Sequence, residues 1–151
     1  MTRITRGKLY TQVAKLFAER STCGRLQVGC VITRDGRIIA TGYNGPPKKY
    51  EPANFYPFET QDGSCSCDTD LPCTKSIHAE ANAIAYSARN GIALEGTTIY
   101  CTHSPCLKCS ELIIQAGIKE VVFIEYFRDA EGIQLLKANN INVNLYEEQK
   151  H

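Results

Sequence analysis

His78-Ala79-Glu80 and, further on, Ser104-Pro105-Cys106-Leu107-Lys108-Cys109 are the segments around which the chain is organised. One imidazole and two thiolates make three ligands that suit a tetrahedral Zn²⁺ with its fourth position open for water. Such a site is catalytic rather than closed. Cys106 and Cys109 follow a proline at C-x-x-C spacing, so a helix opened by Pro105 puts both sulfurs on one face of its first turn. The free amides of a helix start lower thiol pKa values and ease the deprotonation of both ligands. Glu80 stands two places after His78, about 200° around a helix, poorly placed to bind the same ion and well placed as an acid/base beside it. A C-x-x-C pair alone is a weak signal, shared with redox proteins and structural zinc sites. A purely structural knot, however, leaves Glu80 unexplained and supplies only three ligands. Between Glu80 and Pro105 there is room for the rest of a helix, a loop and a strand. The two half-motifs are therefore expected on neighbouring helices.

At 151 residues the chain, 1–151, is read as one domain. Lys+Arg number 17 against Asp+Glu 16, without the basic excess that marks a binder of nucleic-acid polymers. A small substrate is favoured. Eight cysteines would suit a secreted disulfide scaffold, but Met1-Thr2-Arg3-Ile4-Thr5-Arg6 is polar where a leader would be apolar. The expectation is a cytoplasmic location, host cytoplasm for a viral chain, with metal-bound thiols. No apolar run approaches a membrane span, so no membrane partner is expected.

Helical spacing of Leu9, Val13, Leu16 and Phe17 predicts a first helix from Lys8 to about Ser21 with these residues as its core face. Val28–Thr33 and Arg37–Gly42 flank Arg34-Asp35-Gly36, and Asp-Gly between two β-rich runs is a hairpin turn. From Pro47 to Thr74 the composition turns to Pro, Gly, Ser, Asp and Cys without periodicity, a long loop carrying Cys65, Cys67 and Cys73. Ser76–Asn90 reads as an alanine-rich helix with Ile77, Ile84 and Ala88 recurring, stopped by Gly91. Then come a strand at Thr97–Thr102, a helix at Pro105–Ala116 stopped by Gly117, and the apolar run Val121–Ile124, expected as a central parallel strand. A helix at Asp129–Asn139 and an edge strand at Ile141–Leu145 complete the order. Right-handed crossovers then place helices on both faces of a mixed five-stranded sheet, with the metal in the crevice at the strand ends. Cys30 and Cys101 fall in strand patterns and read as small core residues, and His103 reads as a loop residue.

Taken together, H-x-E followed by P-C-x-x-C is a signature of zinc nucleobase deaminases. The sequence resembles the cytidine-deaminase family and, within it, the deoxycytidylate (dCMP) deaminases. The likeness runs through Ser21–Gly29, Thr41-Gly42-Tyr43-Asn44-Gly45, Ile77–Ile84, Ser104–Cys109 and Ala116–Lys119, with Arg128-Asp129-Ala130-Glu131-Gly132 and the G-Y-N-G segment pointing to the narrower group. It implies an α/β fold, a three-layer α/β/α sandwich. It also implies Zn²⁺ on His78, Cys106 and Cys109, with Glu80 passing protons from the attacking water to N3 of cytosine and then to the leaving amine. The product would be dUMP, a precursor for dTTP. By the same resemblance Asn44 would hydrogen-bond the sugar, and Ser104 with nearby backbone would hold the base.

A nucleotide phosphate needs cationic donors, and Arg25 and Arg128 occupy motif positions near the expected mouth. Phe127 stands where relatives often have tyrosine, which leaves stacking but no phenolic hydrogen bond. Cys23, Cys65, Cys67 and Cys73 resemble the ligands of a second, structural Zn²⁺ found in some phage and bacterial relatives. The resemblance further implies a homohexamer activated by dCTP and inhibited by dTTP with Mg²⁺, Gly42, Tyr43 and Gly45 contributing to the effector site. Two alternatives share parts of the pattern. A tRNA adenosine deaminase has the same metal motif, but near-neutral charge disfavours it. A non-enzymatic zinc-stabilised nucleotide-binding or scaffold protein would have no use for the proton shuttle at Glu80.

Overall fold

A computed structural model describes residues 1–21, 23–47, 76–127 and 129–148. The elements follow the expected order: α1 (Arg6–Ala18), β1 (Gly29–Arg34), β2 (Arg37–Tyr43), α2 (Ala79–Arg89), β3 (Thr98–His103), α3 (Leu107–Gln115), β4 (Glu120–Glu125), α4 (Glu131–Ala138) and β5 (Asn142–Leu145). The strands form one sheet in the order β2-β1-β3-β4-β5. β1 runs antiparallel to both β2 and β3, whereas β3, β4 and β5 are parallel. The hairpin turns through Asp35 and Gly36, both at positive φ (51° and 76°), the backbone of a tight primed turn whose twist matches that of its strands. Val121, Val122 and Phe123 of β4 are buried on successive sides, as expected of an interior parallel strand, and β5 is the edge.

Successive strand residues face opposite sides. Cys30 and Ile32 join Ala79 and Ala83 of α2, Ile113 of α3 and Leu136 of α4 in one apolar cluster, while Gly29 faces α1. The result is the three-layer sandwich, α1 covering one face and α2, α3 and α4 the other. No helix among the described residues is long and apolar enough to cross a membrane.

Two helix faces differ from expectation, for one reason. α1 buries Tyr10, Thr11, Ala14 and Ala18, while Leu9 and Leu16 are 40% and 61% exposed. A Cβ on Gly29 would lie 2.1 Å from the Ala14 carbonyl oxygen and 2.5 Å from the Ala18 nitrogen. Backbone presses on backbone there, only small side chains fit between, and the leucines turn outward. α2 repeats the arrangement. Its buried residues are Ala79, Glu80, Ala83 and Ser87, with Ile84 partly buried against the core and Ile77 and Ala88 exposed, because a Cβ on Gly42 would come within 2.2 Å of the Ala79 oxygen. Gly42 thus has a packing reason to be glycine. Helix starts also move inward: His78 and Cys106 are the N-cap residues of α2 and α3, so Pro105 precedes the helix it was expected to open. The expected stops at Gly91 and Gly117 do adopt positive φ, 66° and 79°.

Candidate active site

Two helix starts converge at the end of β3. His78 is placed by a backbone bridge in which Gly45 N donates to Ile77 O (3.1 Å) and Ile77 N to Gly45 O (2.8 Å), tying the entry of α2 to the chain leaving β2. Beyond β3, Ser104 N donates to Glu125 O (2.9 Å) and Ser104 Oγ accepts from Phe127 N (2.6 Å), which locks the turn before Cys106 against the end of β4. Gly132 brings α4 onto the same turn, since a Cβ there would lie 2.3 Å from the Pro105 oxygen and 2.8 Å from the Cys106 carbonyl carbon.

In this frame His78 Nδ1 lies 3.4 Å from Cys106 Sγ and 3.4 Å from Cys109 Sγ. Zinc–nitrogen and zinc–sulfur bonds of ordinary length at a tetrahedral angle would set nitrogen and sulfur about 3.5 Å apart. The donor set and its spacing therefore fit Zn²⁺, and these three residues are the cluster of metal-ligating type found among the described residues. Electrostatics agree. The Cys109 thiol donates to Cys106, and with the His78 hydrogen bond this holds the Cys106 thiol down to about 4 against the cost of its burial. Cys109 is pushed up by sharing its proton with Cys106 and by burial. Two sulfurs this close cannot both be charged without a cation between them. His78 is raised, chiefly by its hydrogen bond to Cys106.

Glu80, at the second position of α2, is only 4% exposed. Burial raises its carboxyl pKa, partly offset by a hydrogen bond from its own backbone N–H and by His78. A carboxyl raised above its ordinary range holds a proton more readily than a free carboxylate, which suits an acid/base group. It faces a cavity of about 400 Å³.

Arg25, Asn44, His78, Ser104, Cys106 and Phe127, all anticipated, line that cavity with Glu80. Cys109 lies behind them, buried. Asn44 spends its amide on the wall itself: Oδ1 accepts from Val28 N and Nδ2 donates to Leu26 O, both at 2.8 Å. Tyr43 and Gly45 belong to the adjoining scaffold, Tyr43 through its carbonyl, which accepts from Asn82 Nδ2 (3.1 Å). Cys23 is buried and also reaches the cavity. Cys65, Cys67, Cys73 and Arg128 lie outside the described residues.

Sequence reasoning missed His103, Glu125 and Tyr126, which also line the cavity. His103 is the last residue of β3 rather than a loop residue, and its Nε2 stands 3.4 Å from Glu125 Oε2. No local motif marks this pair; only the parallel register of β3 and β4 sets His103 opposite Glu125.

The family model for the cytidine and deoxycytidylate deaminase zinc-binding region matches residues 5–125. The chain belongs to that family. Within it, the deoxycytidylate deaminase of Schizosaccharomyces pombe is 37% identical over 138 residues, which cover 91% of this chain and 42% of that protein. The deoxycytidylate deaminase of enterobacteria phage T2 is 35% identical over 146 residues, covering 77% of this chain and 78% of that one. Among solved structures, the dCMP deaminase from the cyanophage S-TIM5 in complex with dCMP and dUMP superimposes with a TM-score of 0.77 at 31% identity, over 96% of this chain and 100% of that one. The chain thus spans less than half the length of the yeast relative. Membership accounts for the zinc-binding donor set and for the mixed sheet with its four helices.

Proposed function

We propose that the chain deaminates dCMP hydrolytically, dCMP and water giving dUMP and ammonia. The observation that carries this is a buried carboxyl beside a zinc-type His/Cys/Cys cluster, opening on a cavity of nucleotide size. The likeness to the cyanophage enzyme supports it. Held by His78, Cys106 and Cys109, Zn²⁺ would supply Lewis acidity, lowering the pKa of water from 15.7 towards about 7. Glu80 takes a proton as water adds to C4, delivers it to N3, then takes the second proton from the new C4 hydroxyl and gives it to the departing amine. The C4–N4 bond breaks and a carbonyl forms at C4. Ser104 and adjoining backbone hold the base, Phe127 offers a stacking face, and Arg25 with Arg128 receives the phosphate. Asn44 fixes the 26–28 wall and retains one N–H for the sugar.

Ammonia release from dCMP, dCTP, deoxycytidine and CMP tests the reading. Turnover should be fastest on dCMP, and Glu80→Gln should lose at least about 10²-fold, the lower end for removal of an acid/base group. Comparable rates on all four compounds would refute the nucleotide assignment.

The same reading includes one catalytic domain over 1–151, a homohexamer in the cytoplasm, and a second Zn²⁺ on Cys23, Cys65, Cys67 and Cys73. It also includes activation by dCTP and inhibition by dTTP with Mg²⁺ near Gly42, Tyr43 and Gly45. Metal analysis checks the second ion: two zincs per chain should fall to one in Cys65→Ser. Rate against dCMP concentration, with and without dCTP, checks the effectors, and nucleotide-insensitive hyperbolic kinetics would remove them.

A further inference from the structure

We infer that Glu125, oriented by His103, accepts a hydrogen bond from the 3′-hydroxyl of the substrate's deoxyribose. This rests on the dCMP reading above. The two residues face each other across β3 and β4 and both line the cavity. A chain of polar contacts orders the pair. Gly29 N donates to Thr102 Oγ1 (3.2 Å), and Thr102 Oγ1 lies 2.9 Å from His103 Nδ1. A carboxylate only accepts, so in the neutral ring the nitrogen facing Glu125 carries the proton and Nδ1 accepts from the Thr102 hydroxyl, whose oxygen still accepts from Gly29. His103 is then the tautomer protonated at Nε2, the nitrogen 3.4 Å from Glu125 Oε2.

Among the described residues only His103 makes a polar contact with this carboxylate, whose side chain is 71% exposed. Its second oxygen is left to accept. An ionised carboxylate accepts hydrogen bonds and donates none, and it repels a phosphate. dCMP with its phosphate ionised carries only two kinds of donor: the 4-amino group and the 3′-hydroxyl. The amine belongs beside Glu80, where the reaction takes place. Of the two carboxyl groups that line the cavity among the described residues, Glu125 is therefore the one matched to the hydroxyl. His103 is a positioning residue that fixes which oxygen is free.

The experiment compares kcat and KM for dCMP and for 2′,3′-dideoxycytidine 5′-monophosphate, which lacks the hydroxyl, in the zinc-loaded wild type and in Glu125→Ala, Glu125→Gln and His103→Gln. Wild type should favour dCMP by about 10- to 100-fold in kcat/KM, the range for a hydrogen bond to a charged group. Glu125→Ala should bring dCMP down to the dideoxy level, mostly through KM, and leave the dideoxy substrate within about 2-fold of wild type. Glu125→Gln, which keeps an acceptor oxygen, should recover part of the preference, and His103→Gln should lose part of it. Equal losses on both substrates, or a wild type blind to the hydroxyl, overturn the inference while leaving dCMP deamination intact. A wild type inactive on every cytosine nucleotide overturns both.

Discussion

Single side chains divide into those fixed by nearby sequence and those fixed by strand register. His78, Glu80, Cys106 and Cys109 were legible because each half-motif is local and the chemistry of a zinc site demands those residue types at that spacing. Asn44, singled out in the sequence, lines the cavity, yet its hydrogen bonds to Leu26 and Val28 were not legible, since they join positions on separate segments. His103 was illegible for the same reason, and it carries a test. Burial lowers its pKa, opposed by the Glu125 carboxylate. The folded chain then binds fewer protons than the unfolded chain as pH falls below the ordinary histidine range. This contribution to stability is complete above the unfolded pKa of about 6.5 and is lost as pH falls through the lower folded value. Unfolding free energies from denaturant titration should show wild type losing ground to His103→Gln between about pH 7.5 and 5.5. A difference that stays constant over that window would mean that His103 is not held neutral.

At the scale of elements, order and boundaries followed from periodicity and turn residues, but the inward faces of α1 and α2 did not. Hydrophobic periodicity assumes that the largest apolar side chains seek the core. Where glycine lets a helix backbone touch a strand, the closest face is lined by alanine and serine, and the larger residues are displaced to its flanks. Gly29→Ala should cost about 1–3 kcal/mol or more, the range for forced overpacking. Gly24→Ala, which meets nothing within 4 Å, should stay within about 0.5 kcal/mol of wild type. Gly132 joins this packing rule to the site. An alanine there would meet Pro105 O, Ser110 Oγ and the Cys106 backbone, lifting α4 from the turn that carries a thiolate. Zinc affinity measured by chelator competition should fall about 10- to 100-fold in Gly132→Ala, as when groups supporting metal ligands are changed. Unchanged affinity would show that the turn keeps its shape without α4.

Across the whole molecule, β1 stands antiparallel between β2 and β3, so the sheet joins a hairpin half to a parallel half, and the metal cluster lies over that junction. His78 comes from the helix packed on the hairpin and Cys106 and Cys109 from the crossover between β3 and β4. A zinc ion held by all three ties the halves together at one edge of the core, so its binding should be felt in global stability. A ligand that binds only the folded chain stabilises it by about 4 kcal/mol when its free concentration is a thousand times its Kd. For a domain of this size that corresponds to a shift in Tm on the order of 10 °C. Thermal unfolding of the zinc-loaded protein should therefore drop by that order when a strong chelator is added. The same chelator should change the Tm of Cys109→Ser, weakened in zinc binding from the start, far less. Equal shifts in both proteins would trace the stabilisation to another zinc site, with Cys23 and the cysteines at 65, 67 and 73 the first place to look, and Cys65→Ser would then remove it.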